Sequence, residues 1–341
     1  KMPVEVYRAY GYVKKAAAVL NTEAGRLPAW KGKLIDQVCD EVISGALDAE
    51  FPLYVWQTGS GTQSNMNVNE VISNRCIQLV EGTLGSQEPV HPNDHVNMCQ
   101  SSNDTFPTAM HIAAYKMTTE TTLPALRRFH DALERKSRSW EGIVKIGRTH
   151  LEDATPLTVA QEWSGYAGAV RDAITELEHA TSLLLRIAMG GTAVGTGLNT
   201  PAGFDKDCAK VISSLTGYQF ETADNKFTAQ GTLDRMVRAH AGLKTAAVTC
   251  FKIANDMRWL GSGPRAGIME MNYPANEPGS SIMPGKVNPT QAEAMLMVCI
   301  QIMASDVAVQ MGGAEGNFEL NAFRPLLIHN YLHSALILGD M

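Results

Sequence analysis

Residues 290–311, TQAEAMLMVCIQIMASDVAVQM, form a long apolar helix candidate, and residues 294–311 are the most membrane-like run of the chain. A helix over residues 294–311 would be apolar on nearly every face, whereas a surface helix keeps one polar face. Gln301, Asp306 and Gln310 interrupt the run, and such residues are rare inside a membrane. We therefore predict a buried helix that is surrounded by other helices, and no membrane span.

Two other segments carry apolar residues at alternating steps of four and three, which is the spacing of a heptad seam on one helix face. The first seam consists of Val159, Trp163, Tyr166, Val170, Ala173, Leu177, Ala180, Leu184 and Ile187. The second consists of Met236, His240, Leu243, Ala247, Cys250, Ala254 and Met257. We interpret His240 as a core histidine with satisfied hydrogen bonds and not as a catalyst.

Further helical patterns are shorter, and strands are nearly absent; the helical patterns occupy residues 4–20, 33–43, 205–215 and 323–338. A helix that ends near Trp140 is expected to bend at Pro124. We predict an all-α fold with a long central bundle of five helices in residues 99–341. A smaller, mainly helical N-terminal domain is predicted for residues 1–98. A bundle so long and so widely apolar is expected to pack against copies of itself.

Composition excludes several classes of function. The 341 residues carry a net charge of −6 and a pI near 5.9, so no basic face invites nucleic acid. The six cysteines form no CxxC pair, which argues against zinc knuckles and disulfide frameworks and favours a reducing compartment. The chain begins at Lys1 without an initiator methionine, so an upstream targeting segment is not excluded.

The apolar run at residues 290–311 directly follows GSSIMPGKVNP at residues 279–289. The density of glycine and proline in residues 279–289 predicts a shaped loop. This loop brings Ser280, Ser281, Lys286 and Asn288 to the start of a helix, where free N–H groups favour anions. We interpret it as an anion-handling catalytic lid. The alternative is a simple interhelical connection, although such a connection needs only a few residues.

Three more polar clusters lie at predicted element boundaries: residues 58–67, 101–103 and 149–150. The first contains GxGxxS, but it lacks the βαβ context and last glycine of a dinucleotide site and the Gly-Lys-Ser/Thr of a P-loop. For residues 101–104, SSND, helix capping is an alternative, with Pro107 in the first turn. His91 and His95 lie four residues apart, but Pro92 and the scarcity of acidic neighbours argue against a metal site.

Together the clusters supply hydroxyls and amides, one histidine and one lysine, a set that suits a small dicarboxylate. Hydroxyls and amides would hold the carboxylates, Lys286 would add charge, and a base would remove a carbon-bound proton. Charge would then spread into the adjacent carboxylate, which preorganised donors must stabilise. By its ordinary pKa, His150 is the first choice of base.

Four sequence blocks resemble those of the fumarase/aspartase superfamily and occur in the same order. They are TGSGTQSNMN (58–67), SSND (101–104), GRTH (147–150) and GSSIMPGKVNP (279–289). The resemblance covers essentially the whole chain and is nearest to the metal-independent class II fumarases. Aspartases usually carry Gln in place of His150, and HPNN and STND in place of HPND (91–94) and SSND.

The resemblance implies reversible hydration of fumarate to L-malate without cofactor or metal. Ser280 would be the base, and His150, polarised by Glu293, would lie near the leaving or attacking water. The substrate-binding residues would be Ser60, Thr62, Ser101, Ser102, Asn103, Thr149, Ser281, Lys286 and Asn288. His91, Asn93 and Asp94 match a second, peripheral dicarboxylate site.

The same resemblance implies a homotetramer in which each active site takes loops from three chains, located in the cytoplasm or, with a transit peptide, in the mitochondrial matrix. Members of the superfamily extend beyond both ends of this chain, so we expect a fragment without the small C-terminal domain. Two alternatives stay open. One is an aspartate ammonia-lyase or another fumarate-yielding lyase, and the other is a non-catalytic structural oligomer like some lens crystallins.

Overall fold

The computed structural model describes residues 1–341 and is predominantly helical, which confirms the predicted fold class. Its eleven α-helices are α1 (Val4–Glu23), α2 (Ala29–Ser44), α3 (Thr62–Leu79), α4 (Ser102–Met117), α5 (Leu123–Ser139), α6 (Val159–Thr181), α7 (Phe204–Thr216), α8 (Lys226–Gly231), α9 (Asp234–Leu260), α10 (Thr290–Ala314) and α11 (Arg324–Asp340). Three two-stranded sheets complete the structure. They pair β1 (Val144–Thr149) with β2 (Glu152–Thr158), β3 (Arg186–Ile187) with β4 (Glu221–Thr222), and β5 (Gly279–Ser280) with β6 (Met283–Pro284).

The chain forms two compact units, each assembled from three separate stretches. Unit 1 comprises residues 1–117, 181–239 and 307–333, and unit 2 comprises residues 118–180, 240–306 and 334–341. Unit 1 contains residues on both sides of the boundary predicted between residues 98 and 99, whereas unit 2 lies entirely within residues 99–341. The division into residues 1–98 and residues 99–341 stays a prediction.

Both heptad seams lie on buried helix faces. In α6 the buried members include Trp163, Val170 and Leu177, and in α9 they include Leu243 and Cys250. The first seam does not stay helical to its end, because a 3₁₀ turn at Ser182–Leu185 leads into β3. Within unit 2, α5, α6 and α9 share a core in which Trp163 stacks edge-on against Trp140 and Tyr166.

His240 is fully buried, and both of its ring nitrogens have partners. Nδ1 lies 2.8 Å from Asp306 Oδ1 of α10, and Nε2 lies 3.0 Å from Ser334 Oγ of α11. Lys244 donates to the other oxygen of Asp306 at 2.6 Å. The prediction of a satisfied core histidine is confirmed, and the histidine joins three helices in unit 2.

The helix predicted to bend at Pro124 is interrupted more strongly than expected. Helix α4 ends at Met117, one π-helical turn spans Thr118–Thr122, and α5 begins at Leu123. Pro124 has no N–H to donate to the preceding turn, so the hydrogen-bond ladder widens just before it.

The prediction that α10 is surrounded by other helices is wrong within one chain. By length and composition the helix could cross a membrane, but only 33% of its most apolar window is buried. Met297, Ile300, Val307 and Met311 are all more than half exposed. Their spacing of three, seven and four residues places them on one helix face. Within one chain, the other helices leave this face of α10 uncovered.

Candidate active site

In unit 1, the loop before α3 is held in place by close backbone packing. Gly61 adopts a left-handed conformation with φ of 81°, and a Cβ there would lie 2.1 Å from the ring of Phe106. A Cβ on Gly59 would lie 1.4 Å from the carbonyl oxygen of Ala322. The Arg324 N–H donates to the Gly59 carbonyl at 3.1 Å. Only glycine fits at both positions, so the loop has one well-defined shape.

Ser60 and Thr62 lie at the N-terminus of α3, with their hydroxyl oxygens 2.8 Å apart. Thr62 is exposed and Ser60 is half-buried. The first turn of a helix has free N–H groups and a partial positive charge, which favour a carboxylate beside these hydroxyls.

Residues 101–104 form a capping box at the start of α4. Ser101 Oγ accepts the Asn103 N–H at 3.2 Å, and Asp104 Oδ1 accepts the Ser101 N–H at 2.9 Å. The capping interpretation therefore holds for Ser101 and Asp104. Pro107 is the sixth residue of α4 and not in its first turn, so that part of the prediction is wrong.

Asp104 is fully buried and also accepts the N–H groups of Gly190 and Thr192, at 3.0 and 2.9 Å. Burial raises the pKa of its carboxyl, although these backbone donors act in the opposite direction. Asp104 thus ties the start of α4 to the glycine-rich loop after β3, and Asn103 Nδ2 donates to the Ala193 carbonyl in the same loop at 2.7 Å.

Ser102 is connected to α3 because Asn65 Nδ2 donates to its hydroxyl oxygen at 3.0 Å. Unit 1 therefore brings together five predicted site residues around the starts of α3 and α4: Ser60, Thr62, Ser101, Ser102 and Asn103. Their hydroxyls and amides are the donors that a carboxylate requires.

In unit 2, Thr149 and His150 lie at the tip of a β-hairpin that the sequence interpretation missed. Thr149 pairs with Glu152, which leaves His150 and Leu151 as a two-residue turn. Both have positive φ, 57° and 63°, as a type I′ turn requires. Such turns favour Asn and Gly, so the pair His150-Leu151 carries no recognisable turn signal. The left-handed conformation costs each of these residues about 1–2 kcal/mol. Backbone strain of this kind is often found at functional sites.

The hairpin is anchored by ion pairs to Glu270, which precedes the 279–289 loop in the sequence. Glu270 accepts from Arg148 at 2.5 Å and pairs with Lys145 at 2.8 Å. Burial acts to raise the pKa of Glu270, but these two cations lower it below its usual value. Lys145 also binds Glu162 of α6 at 2.8 Å. His150 is exposed at the tip of an otherwise anchored hairpin.

The 279–289 loop begins with a tight turn. Gly279 has a φ of 80°, and a Cβ there would lie 2.6 Å from the Lys286 carbonyl oxygen. Ser280 pairs with Met283 and is half-buried, and its hydroxyl accepts the Ile282 N–H at 3.4 Å. The exposed Lys286 donates to Asn288 Oδ1 at 2.7 Å, and α10 begins at Thr290, directly after the loop. Ser281 is exposed and has no hydrogen bond within the chain.

Within one chain, no hydrogen bond joins His150 to Ser280 or to Glu293, and Glu293 is exposed in the first turn of α10. The roles assigned to these three residues stay predictions.

The predicted second site is one compact turn in unit 1. His91 precedes the π-helical turn Pro92–Val96, and its Nδ1 accepts the N–H groups of Asn93 and Asp94 at 3.1 Å each. In the neutral ring, Nε2 therefore carries the proton and can donate. His95 Nδ1 accepts the His91 N–H at 2.7 Å, so both histidines use Nδ1 to bind backbone.

Sequence reasoning missed two fully buried cations in unit 1, Lys14 and Arg324. Arg324 Nη2 donates to the Gln230 carbonyl at 2.9 Å, and burial lowers its pKa to about 10. A signal for Lys14 existed, because it lies four residues after the buried Tyr10 on the apolar face of α1. A charge at such a position is unexpected unless it has a specific partner.

Comparison with known proteins identifies the family of this chain. A protein-family model described as Lyase matches residues 1–304. A class II fumarate hydratase from Methanosarcina acetivorans is 64% identical over 339 residues, 99% of this chain and 70% of the relative. A mitochondrial fumarate hydratase from Rhizopus oryzae is 56% identical, over 100% of this chain and 69% of the relative.

The crystal structure of a class II fumarase from Schistosoma mansoni aligns with a TM-score of 0.98 at 42% identity. The alignment covers 100% of this chain and 74% of the other. The chain therefore belongs to the lyase family and, within it, to the class II fumarate hydratases.

Proposed function

We propose that this chain catalyses the reversible hydration of fumarate to L-malate by anti addition and elimination. The observation that carries the proposal is the pair of hydroxyl-rich helix starts in unit 1, at α3 and α4, connected through Asn65 and Ser102. Donors at two adjacent helix N-termini suit an anionic substrate, and family membership makes that substrate a dicarboxylate.

In the direction from malate to fumarate, Ser280 removes a proton from the methylene carbon. The electron pair spreads into the adjacent carboxylate, and hydroxide then leaves the neighbouring carbon on the opposite face. His150, polarised by Glu293, lies near that leaving group and delivers the proton that converts it to water. A serine is a weak base, so its alkoxide needs strong stabilisation, for which Lys286 and the N–H groups of the first turn of α10 are candidates.

Ser60, Thr62, Ser101, Ser102 and Asn103 would bind the carboxylates together with Thr149, Ser281, Lys286 and Asn288. Ser101 Oγ also accepts the Asn103 N–H as a helix cap, which leaves the hydroxyl proton of Ser101 for a carboxylate. His91, Asn93 and Asp94 would form the peripheral dicarboxylate site, with His91 Nε2 as donor and the exposed Asn93 side chain beside it.

We also propose that the active assembly is a homotetramer whose sites combine loops from three chains. The exposed apolar face of α10, formed by Met297, Ile300, Val307 and Met311, supports this, because contiguous apolar surface usually marks an interface. Sharing of sites between chains would also supply the partners that His150 and Glu293 lack within one chain. The archaeal relative favours a cytoplasmic location, and the mitochondrial relative makes the matrix an alternative.

The direct test is to mix the protein with L-malate and to follow ultraviolet absorbance, which rises as the conjugated double bond of fumarate forms. L-Aspartate is assayed in parallel, with ammonia release as the readout. Absorbance should rise with malate and not with aspartate. Ammonia release without any malate reaction would identify an ammonia-lyase instead. Inactivity on every fumarate-yielding substrate would favour a structural oligomer.

A further inference from the structure

Lys14 of α1 lies fully buried directly behind the two hydroxyl-rich helix starts. Its Nζ donates to three amide oxygens: Asn65 Oδ1 at 2.6 Å, Asn97 Oδ1 at 2.9 Å and Gln100 Oε1 at 2.9 Å. An ammonium has three N–H donors, so the three oxygens satisfy it completely. Asn97 and Gln100 belong to the turn that leads into Ser101, and Lys14 therefore contacts both helix starts.

Burying the charged ammonium of Lys14 costs desolvation free energy that a purely structural role does not explain. Its three partners are neutral, and no carboxylate lies within ion-pair distance of Nζ. Burial lowers the pKa of Lys14 to about 7, because the interior disfavours its charged form. An apolar side chain of similar volume would avoid this desolvation, so stability alone does not explain a lysine here.

When it is protonated, Lys14 favours one orientation of the Asn65 amide. A protonated lysine only donates, so the Asn65 atom that faces Nζ must be the oxygen. The Asn65 NH₂ group then points the other way, where it donates to Asn97 Oδ1 at 3.2 Å and to Ser102 Oγ at 3.0 Å. A flipped Asn65 would place two donors against the ammonium, and Ser102 would then face an oxygen.

We propose that Lys14 is a positioning residue that acts through Asn65 to make the Ser102 hydroxyl a hydrogen-bond donor toward a substrate carboxylate. Because Ser102 Oγ already accepts from Asn65, its own proton is not needed there, and no acceptor within the chain takes it. Ser102 is the first residue of α4 and keeps 9% of its surface exposed. The inference rests on the proposed function, since it assumes that Ser102 binds a carboxylate.

The test is a double-mutant cycle of Lys14→Met and Ser102→Ala in the full chain. Binding of succinate, a dicarboxylate that cannot react, is measured by calorimetry, and KM and kcat for malate are measured in parallel. A hydrogen bond to a charged group is worth enough that Lys14→Met should weaken succinate binding on the order of tenfold. In the Ser102→Ala background the same substitution should have almost no further effect, because the two residues act as one unit.

Lys15→Met is the matched control, because Lys15 is adjacent but pairs with Asp36 and Asp40. It should leave succinate binding unchanged. Independent, additive effects of Lys14→Met and Ser102→Ala would overturn the inference, as would unchanged binding by Lys14→Met alone.

If Lys14→Met does not fold, Asn65→Asp tests the link between residue 65 and Ser102 on which the inference depends. The ionised carboxylate that this substitution introduces still accepts from Lys14, but it cannot donate to Ser102, so the Ser102 proton turns toward it. Succinate binding should weaken on the order of tenfold, and unchanged binding would overturn the inference. Malate turnover by the unaltered chain tests the proposed function separately: an inactive chain that binds succinate and shows the coupling would refute the hydratase and not the role of Lys14.

Discussion

The candidate residues of unit 1 and those of unit 2 are held in opposite ways. In unit 1, Ser102 and Asn103 have partners within the chain, and the loop before α3 is packed against Phe106 and Ala322. In unit 2, His150 is exposed and has no side-chain hydrogen bond within the chain, and Ser280 accepts only one long one. A rigid group of donors suits binding, whereas exposed groups on a turn and a loop suit steps that need partners from other chains.

The largest expected effect comes from altering a candidate catalytic residue of unit 2. Ser280→Ala removes the proposed base, so kcat for malate should fall on the order of 10³-fold, within the range for general base catalysis. Succinate binding and the oligomeric state should be preserved, because Ser280 makes only one weak hydrogen bond within the chain. Steady-state kinetics and calorimetry on the same preparation provide the check. Turnover equal to that of the unaltered chain would remove Ser280 from the mechanism.

The second effect concerns stability, and it separates the core of unit 2 from its exposed candidate residues. Burial acts to raise the pKa of Asp306, but hydrogen bonds from His240 and Lys244 lower it to about 2 from 3.8. A depressed carboxyl pKa stabilises the fold above pH 3.8, and that stability is lost as the pH falls toward 2. At 1.36 kcal/mol per pKa unit the contribution is on the order of 2 kcal/mol.

Asp306→Asn should therefore lower the free energy of unfolding at neutral pH by about this amount and flatten its decline between about pH 4 and pH 2. Denaturant titrations at several pH values measure both quantities. A decline in acid as steep as that of the unaltered chain would mean that another carboxyl group is responsible.

The third effect comes from removing one candidate binding group of unit 1. Thr62→Val keeps the shape of the side chain and removes the hydroxyl that lies 2.8 Å from Ser60 Oγ. Loss of one donor to a carboxylate should raise KM for malate about tenfold and change kcat less. Kinetics over a range of malate concentrations separate the two parameters. A fall in kcat at constant KM would contradict a binding role for this helix start.

The smallest effect tests the hairpin strain. Leu151→Gly places glycine at the second turn position, where type I′ turns favour it, and it removes a left-handed leucine with φ of 63°. The free energy of unfolding should rise by up to about 1 kcal/mol, because the conformational penalty of a side chain is relieved. Thermal denaturation detects the shift. A lower melting temperature would show that Leu151 makes stabilising contacts that outweigh its strain.

The helices were largely predictable because their signals are local and repeated. The seams in α6 and α9 predicted buried faces, and His240 was correctly assigned to the core. The hairpin at residues 144–158 was missed because His150 and Leu151 resemble no common turn pair and because charged residues mask its alternation. The capping box at residues 101–104 was recognised as an alternative, but only the structure shows that Ser101 and Asp104 form it.

For this protein, the sequence by itself determined the helical class, the positions of the four polar clusters and their chemical fit to a dicarboxylate. These properties follow from periodicity, from Gly and Pro, and from the side chains present near one another in the chain. The tertiary structure decided that Lys14, 51 residues from Asn65, contacts the amide that donates to Ser102. It also decided that α10 keeps an exposed apolar face. Burial and contacts between distant residues are properties of packing, and no local pattern contains them.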